Sequence, residues 1–248
     1  MTIQAPYDVH LAWGLEGAER LAADTDIAVV VDVLSFTTTL SVAIDAGMAV
    51  YPYRWLDGSA EQYAASVNAK LAVARSTATR DDISLSPASV RDAGNVDRLV
   101  LPSPNGSAIC HHLAGNVDTV VAASLRNSAA VGRWICARYR PSSHRVTVIA
   151  AGELRRDGTR RSAAEDFWGA GAVLSTLADT GWPVIAPAAM ESIRAFNNER
   201  SYMAGALERC RTGQELSEMG FADDVRIAGE LDQSTSVPLL GRGCFVGA

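Results

Sequence analysis

The chain has 248 residues, 48% of them hydrophobic and 20% charged, with a formal net charge of -6. That is ample material for one large core, and an acidic balance without a basic, aromatic-studded face argues against nucleic-acid binding. Four cysteines, Cys110, Cys136, Cys210 and Cys244, form no C-x-x-C pair, so neither a disulfide framework nor a zinc knuckle is expected, and a reducing cytoplasm is the expected compartment.

Met1 to His10 carries no basic region followed by an apolar one, so no signal peptide is expected, and no apolar run approaches the ~20 residues of a membrane span. Tyr7–Trp13 reads as an antiparallel or edge element, followed by a helix near Leu15–Ala23. Short β-branched runs predict buried strands at Ile27–Val33, Met48–Tyr53, Arg98–Leu101, Thr119–Ala123 and Val146–Ala150. Helical patterns fall between or after them at Thr37–Ala46, Ser59–Ala74, Ser107–Leu113, Asn127–Tyr139 and Ser162–Asp179. Residues 76–97 are polar and read as an irregular loop able to cover a site. After Pro187 the chain turns helical, through Met190–Asn198, Ser201–Arg211 and Phe221–Leu231, and closes on a return strand or tail at Pro238–Gly247. The alternation predicts a single α/β domain over residues 1–248: a three-layer α/β/α sandwich on a largely parallel or mixed sheet, with a helical C-terminal portion from about residue 188.

Four of these strands run into a small or polar loop that precedes a helix: Asp32–Thr39, Pro102–Ser107, Ser124–Asn127 and Ala151–Glu153. Ligands of open α/β sheets bind outside the carboxyl ends of the strands, so four parallel strands would gather these loops at one edge. Each loop also has a plain structural use. Thr37, Thr38 and Thr39 can cap a helix, Asn105-Gly106 is a common turn pair, Asn127 can be an N-cap, and Ser162-x-x-Glu165 fits a capping box. Asp32 is harder to place that way, because a carboxylate ending an apolar strand is costly to bury without a cation or hydrogen bonds. Asp166, a second acid in one helical turn, gains only ~0.3–1 kcal/mol from the helix dipole.

A Mg²⁺ site takes one or two carboxylates, waters and phosphate oxygens, which Asp32, Glu165 and Asp166 could satisfy. Hydroxyls and free N–H groups at a helix start suit the phosphate. Arg126 lies in one of the four loops and is the better candidate for an anion; Arg155, Arg156, Arg160 and Arg161 could also bind one but read rather as a mobile, solvated loop. Thiol-phosphatase, Walker, dinucleotide-binding and nucleophile-elbow motifs are absent, and adjacent His111 and His112 diverge on a helix.

At these same residues the sequence resembles a known family. VVDVLSFTTTLSVAIDAG at 30–47 is similar to a pattern of apolar strand, Asp-Val-Leu-Arg-Ala-Thr-Thr-Thr, helix and glycine. SLSPASV at 84–90 is similar to an Asn-Ser-Pro loop, LPSPNGSA at 101–108 to Thr-Asn-Gly-Thr, and SLRNSAAV at 124–131 to Ser-x-x-Asn-Ala. AAGELRRDGTRRSAAEDFWGAG at 150–171 resembles an Ala-Gly stretch followed by Glu-Asp-x-x-x-Ala-Gly. The pattern is that of the 2-phosphosulfolactate phosphatase (ComB) family, and the five motifs cover roughly residues 8–240.

The resemblance implies an α/β/α fold and a Mg²⁺-dependent phosphatase that converts 2-phospho-3-sulfolactate to 3-sulfolactate and phosphate in coenzyme M biosynthesis. It marks Asp32, Thr37, Thr38, Asn105, Gly106, Glu165 and Asp166 as site residues. The expected division of labour puts metal and catalysis on Asp32, Glu165 and Asp166, with Asp32 alternatively attacking phosphorus. Phosphate binding falls to Thr37, Thr38, Thr39, Ser103, Asn105, Gly106, Arg126 and Asn127. Ser35 stands where the pattern has arginine and Phe36 where it has alanine. That departure leaves open a different small phosphate ester, or a family member that binds an anionic metabolite without turning it over. The expected partners are a small phosphorylated anion and, as a homodimer, a second copy of the chain, with no nucleic acid and no membrane.

Overall fold

A computed structural model describes residues 7–54, 57–79, 81–154, 159–182 and 185–248. The edge element expected near the start is β1 (Val9–Trp13), and the β-branched runs form the expected strands β2 (Ile27–Val31), β3 (Ala49–Tyr53), β5 (Arg98–Pro102), β6 (Thr119–Ala123) and β7 (Val146–Ala150), while β4 (Lys70–Leu71) lies in a stretch expected to be helical. A small two-stranded ribbon, β8 (Glu153–Leu154) with β9 (Arg160–Arg161), follows β7. A C-terminal hairpin, β10 (Pro238–Gly241) and β11 (Cys244–Gly247), completes a nine-stranded mixed sheet in the order β1-β7-β2-β6-β10-β11-β3-β5-β4.

Helices cover both faces. On one side lie α1 (Gly14–Leu21), α2 (Phe36–Asp45) and α5 (Gly106–Leu113), which contribute Ala18, Leu40 and Ile109 to a core shared with Ala28 and Val30 of β2. The other side holds α6 (Ser128–Arg138), α7 (Ala164–Asp179), α8 (Pro187–Glu199), α9 (Met203–Arg209), α10 (Arg211–Glu218) and part of α11 (Ala222–Ala228). There Val131, Val173, Ile193 and Leu207 pack on Ile27, Val29 and Val31. The β2 side chains alternate between the two cores, as a strand covered on both faces must. Two further helices, α3 (Gly58–Ser66) and α4 (Pro87–Arg91), lie in the β3–β5 region. Among the described residues no helix is long and apolar enough to cross a membrane.

Several local expectations change. The β1 strand lies at an edge but pairs parallel with β7, so it is not antiparallel. The helix expected over Ser59–Ala74 stops at Ser66 because Asn68 adopts φ 50° and closes the end. Asn68 N donates to Ala65 O at 3.2 Å and Ala69 N to Ala64 O at 2.9 Å, the paired bonds of a Schellman stop. The loop over 76–97 contains α4, started by Pro87 after a Ser86 cap. Most consequential is the C-terminal hairpin, which enters the middle of the sheet between β6 and β3.

The hairpin also changes the sense of the strands. The group β1-β7-β2-β6 is internally parallel, and so is β3-β5-β4. Three antiparallel pairings separate them, leaving β5 opposed to β2 along the chain of pairings. The loops after β2 and β5 nevertheless touch.

Candidate active site

The turn from β2 into α2 is bound together by its own hydroxyls. Thr37 Oγ1 accepts from Asp32 N at 3.0 Å and donates to Asp32 O at 2.9 Å. Thr38 Oγ1 donates to Val33 O at 2.7 Å and Thr39 Oγ1 to Ser35 O at 2.8 Å. The Leu34–Ser35 peptide within this turn is cis. All three threonines are buried, and their donor protons are spent on main-chain carbonyls. In this arrangement their work is to fix the turn that carries Asp32.

The Asp32 carboxylate is held by main-chain amides from two elements. Gly106 N, at the start of α5, donates to its Oδ2 at 2.9 Å, and Phe36 N of α2 donates to the same carboxylate. The approach requires glycine: a Cβ at 106 would stand 2.8 Å from Asp32 Oδ2 and run into the Phe36 ring. Burial pushes the Asp32 carboxyl up from 3.8 to about 6, and the Glu165 charge adds to the rise, against the two amides and Arg75, which oppose it.

Asp166 fastens two loops to each other. Its Oδ1 accepts from Val33 N at 2.7 Å and its Oδ2 from Gly152 N at 2.9 Å, joining the ends of β2 and β7 at the start of α7. Burial, with the neighbouring Asp32 and Glu165 charges, raises its carboxyl well above the usual range. Glu165 is buried as well and meets the Cys210 thiol, which burial and the Glu165 charge together push up to about 12. The capping box does not form. The helix begins later, Ala163 is its N-cap without a side-chain bond, and Glu165 faces inward.

The cation beside these acids is Arg75, which sequence reasoning missed. Its Nη2 donates to Ser35 Oγ at 2.5 Å and to Asp224 Oδ2 at 3.0 Å, and its guanidinium lies 5.3 Å from the Phe221 ring centre. Asp224 is buried in α11 and also accepts from Ser86 Oγ at 2.5 Å, so the Ser86-Pro87 loop, α11 and Arg75 form one polar chain ending at Ser35. Burial lowers the Arg75 pKa, opposed by the charges of Asp224 and Asp32. The available signal was weak: Arg75 follows the apolar run Leu71–Ala74, and Asp224 is one of two acids opening a helix.

The remaining candidates divide. Ser103 is buried and its N–H donates to Tyr53 O at 3.1 Å, while Asn105 precedes Gly106 beside Asp32. Arg126 and Asn127 turn to other partners. Arg126 bonds Asp45, Ser41 and Glu230, each at 3.0 Å, and Asn127 spans Ser124 N and Ser236 O. Their loop locks the C-terminal segment, whereas the loops after β2, β5 and β7 are the ones that meet. Arg155 and Arg156 lie outside the described residues; Arg161 pairs with Glu153.

Magnesium fits the donor chemistry. Asn105 Oδ1 is a buried oxygen with no hydrogen-bond partner among the described residues, one residue from the amide that holds Asp32. Among those residues no three acidic, His or Cys side chains close into a metal cage. Mg²⁺ asks for no such cage: one or two carboxylates, with water and phosphate oxygens, are its usual set.

Fold and site together define an α/β protein whose interloop amides and buried arginine surround a cluster of buried acids. A family model described as 2-phosphosulpholactate phosphatase matches residues 16–243, and the chain belongs to that family. The chain is also similar to a probable 2-phosphosulfolactate phosphatase of Deinococcus radiodurans, 27% identical over 222 residues covering 88% of this chain and 89% of that protein. The family is named for a phosphatase.

Proposed function

We propose that the chain is a Mg²⁺-dependent phosphomonoesterase with Asp32 as its central reacting carboxylate. The observation that carries this reading is Asp32 itself: a buried carboxylate, held by amides from two helix starts, beside Arg75 and two further acids. Asp32 and Asn105 Oδ1, with Glu165, would hold the metal, which would supply positive charge beside the phosphoryl oxygens. Asp166 keeps the β2 and β7 loops in register through the hydrogen bonds it accepts from two main-chain amides.

Arg75 accounts for the departure at Ser35. The cation that the family pattern carries at that position arrives here from residue 75, hydrogen-bonded to the serine that replaces it. It can stabilise charge on the phosphoryl group as the ester bond breaks. With a pKa of about 6, Asp32 is mainly ionised at neutral pH, as attack on phosphorus or activation of water requires. A 2-phosphosulfolactate-type ester is the family precedent, and other small phosphate esters share its reacting group.

Phosphate release should be measured across phosphate monoesters from 2-phospho-3-sulfolactate and other small acids to aryl esters such as 1-naphthyl phosphate, with Mg²⁺ and with chelator. Release that depends on Mg²⁺ supports the proposal. Equal rates in chelator would remove the metal from it, and no release from any ester would remove the catalytic reading.

A further inference from the structure

On the Arg75 side of the centre lies a cavity of about 860 Å³, bounded by the segment after β4, the loop after β5 and the approach to α11. Arg75 stands on its wall and links it to the reacting centre through Ser35 and through its charge on Asp32. Ser103 and Pro104, just before the Gly106 amide, form another part of the wall. A ligand whose phosphoryl group sits at Asp32 therefore has this space beside it for the rest of its body.

The wall's chemistry limits what that body can be. Val73, Leu85, Met219 and Phe221 make most of it apolar, with Arg54 and Arg75 as its cations. A three-carbon acid bearing phosphate, sulfonate and carboxylate could pair with the two arginines but would gain nothing from the apolar part of the wall. It would also leave much of a cavity this size to water, since pockets of ~300–1,000 Å³ enclose drug-sized ligands. By contrast, the Glu165 side of the centre opens on a smaller cavity of about 340 Å³ edged by Arg161, Arg209 and Arg211. Size and apolar lining both favour the Arg75 side for an organic group.

We infer that this cavity is the leaving-group pocket and that the substrate class is a phosphate monoester with a large apolar or aromatic body, packed between Leu85 and Phe221. The inference rests on the phosphatase reading of Asp32 and narrows it to a chemical class of ester.

Binding and turnover separate the two claims. Methylphosphonate, 3-phosphonopropionate and 1-naphthylmethylphosphonate cannot be hydrolysed as esters, and their affinities can be compared by titration calorimetry with Mg²⁺ present. The naphthyl compound should bind at least about tenfold tighter than methylphosphonate, because its ring leaves water for an apolar wall. Leu85→Trp, which fills the cavity, should abolish that gain. Met219→Ser should reduce it about threefold; at 62% exposure this side chain can change without endangering the fold, so it carries the test if the tryptophan variant does not fold. Equal affinities, a preference for 3-phosphonopropionate, or a naphthyl gain untouched in Met219→Ser would overturn the inference. Hydrolysis of 1-naphthyl phosphate is scored alongside. Tight naphthyl binding without turnover keeps the pocket and removes the catalytic reading, whereas turnover of short phosphorylated acids with no naphthyl gain does the reverse.

Discussion

Replacing Asp32 with asparagine should change how stability depends on pH. Burial moves the Asp32 carboxyl from 3.8 to about 6, so between those values the folded protein keeps a proton that the unfolded chain has released. Its contribution to stability is fully present below about pH 4 and lost as pH rises through about 6. At ~1.36 kcal/mol per pH unit, the whole change amounts to about 3 kcal/mol. Asparagine cannot titrate, and groups remote from Asp32 cancel when the two proteins are compared. Urea unfolding in chelator at about pH 4, 5, 6 and 7 should therefore show wild type losing most of this, about 2 kcal/mol, relative to Asp32→Asn as pH rises. Added Mg²⁺ should shrink the swing, because a cation favours the carboxylate. Parallel stability curves in chelator would refute the claim that Asp32 is a buried, strained acid.

Gly106→Ala should abolish phosphate release and lower stability by ~1–3 kcal/mol, since its Cβ would displace the Phe36 ring and Asp32 Oδ2. Kinetics with denaturant unfolding checks both, and an active, equally stable variant would contradict the close approach. Arg75→Met should cost ~3–5 kcal/mol by stranding the buried Asp224 carboxylate, and phosphonate binding should weaken with it. Pairing it with Asp224→Asn should recover part of the stability but not the binding; recovery of both would make Arg75 purely structural.

The layers were legible in the sequence because buried strands of a covered sheet are short β-branched runs, and Ile27–Val31 is buried throughout. The acids were legible for a related reason: a carboxylate such as Asp32 set against apolar residues is too costly to be incidental. Long-range pairing was not legible. Leu239 pairs with Val121 and Phe245 with Val50, contacts that no local pattern encodes, and they decide the relative sense of β2 and β5. Arg126 shows the same limit. It occupies a strand-to-helix loop like the others, yet Asp45 and Glu230, distant in sequence, draw its guanidinium to themselves. Arg75 was hidden at the edge of a helix expected to reach Ala74, a helix that Asn68 ends early.

Steady-state phosphate release with Mg²⁺, wild type against Asp32→Asn, tests the central claim most directly. The Asn variant retains the shape of the side chain and can still accept from Gly106 N, so its fold can be confirmed in the same preparation. The account predicts a rate at least about a thousandfold lower for Asp32→Asn. Release that survives the substitution at a comparable rate would place the chemistry away from Asp32 and contradict the account.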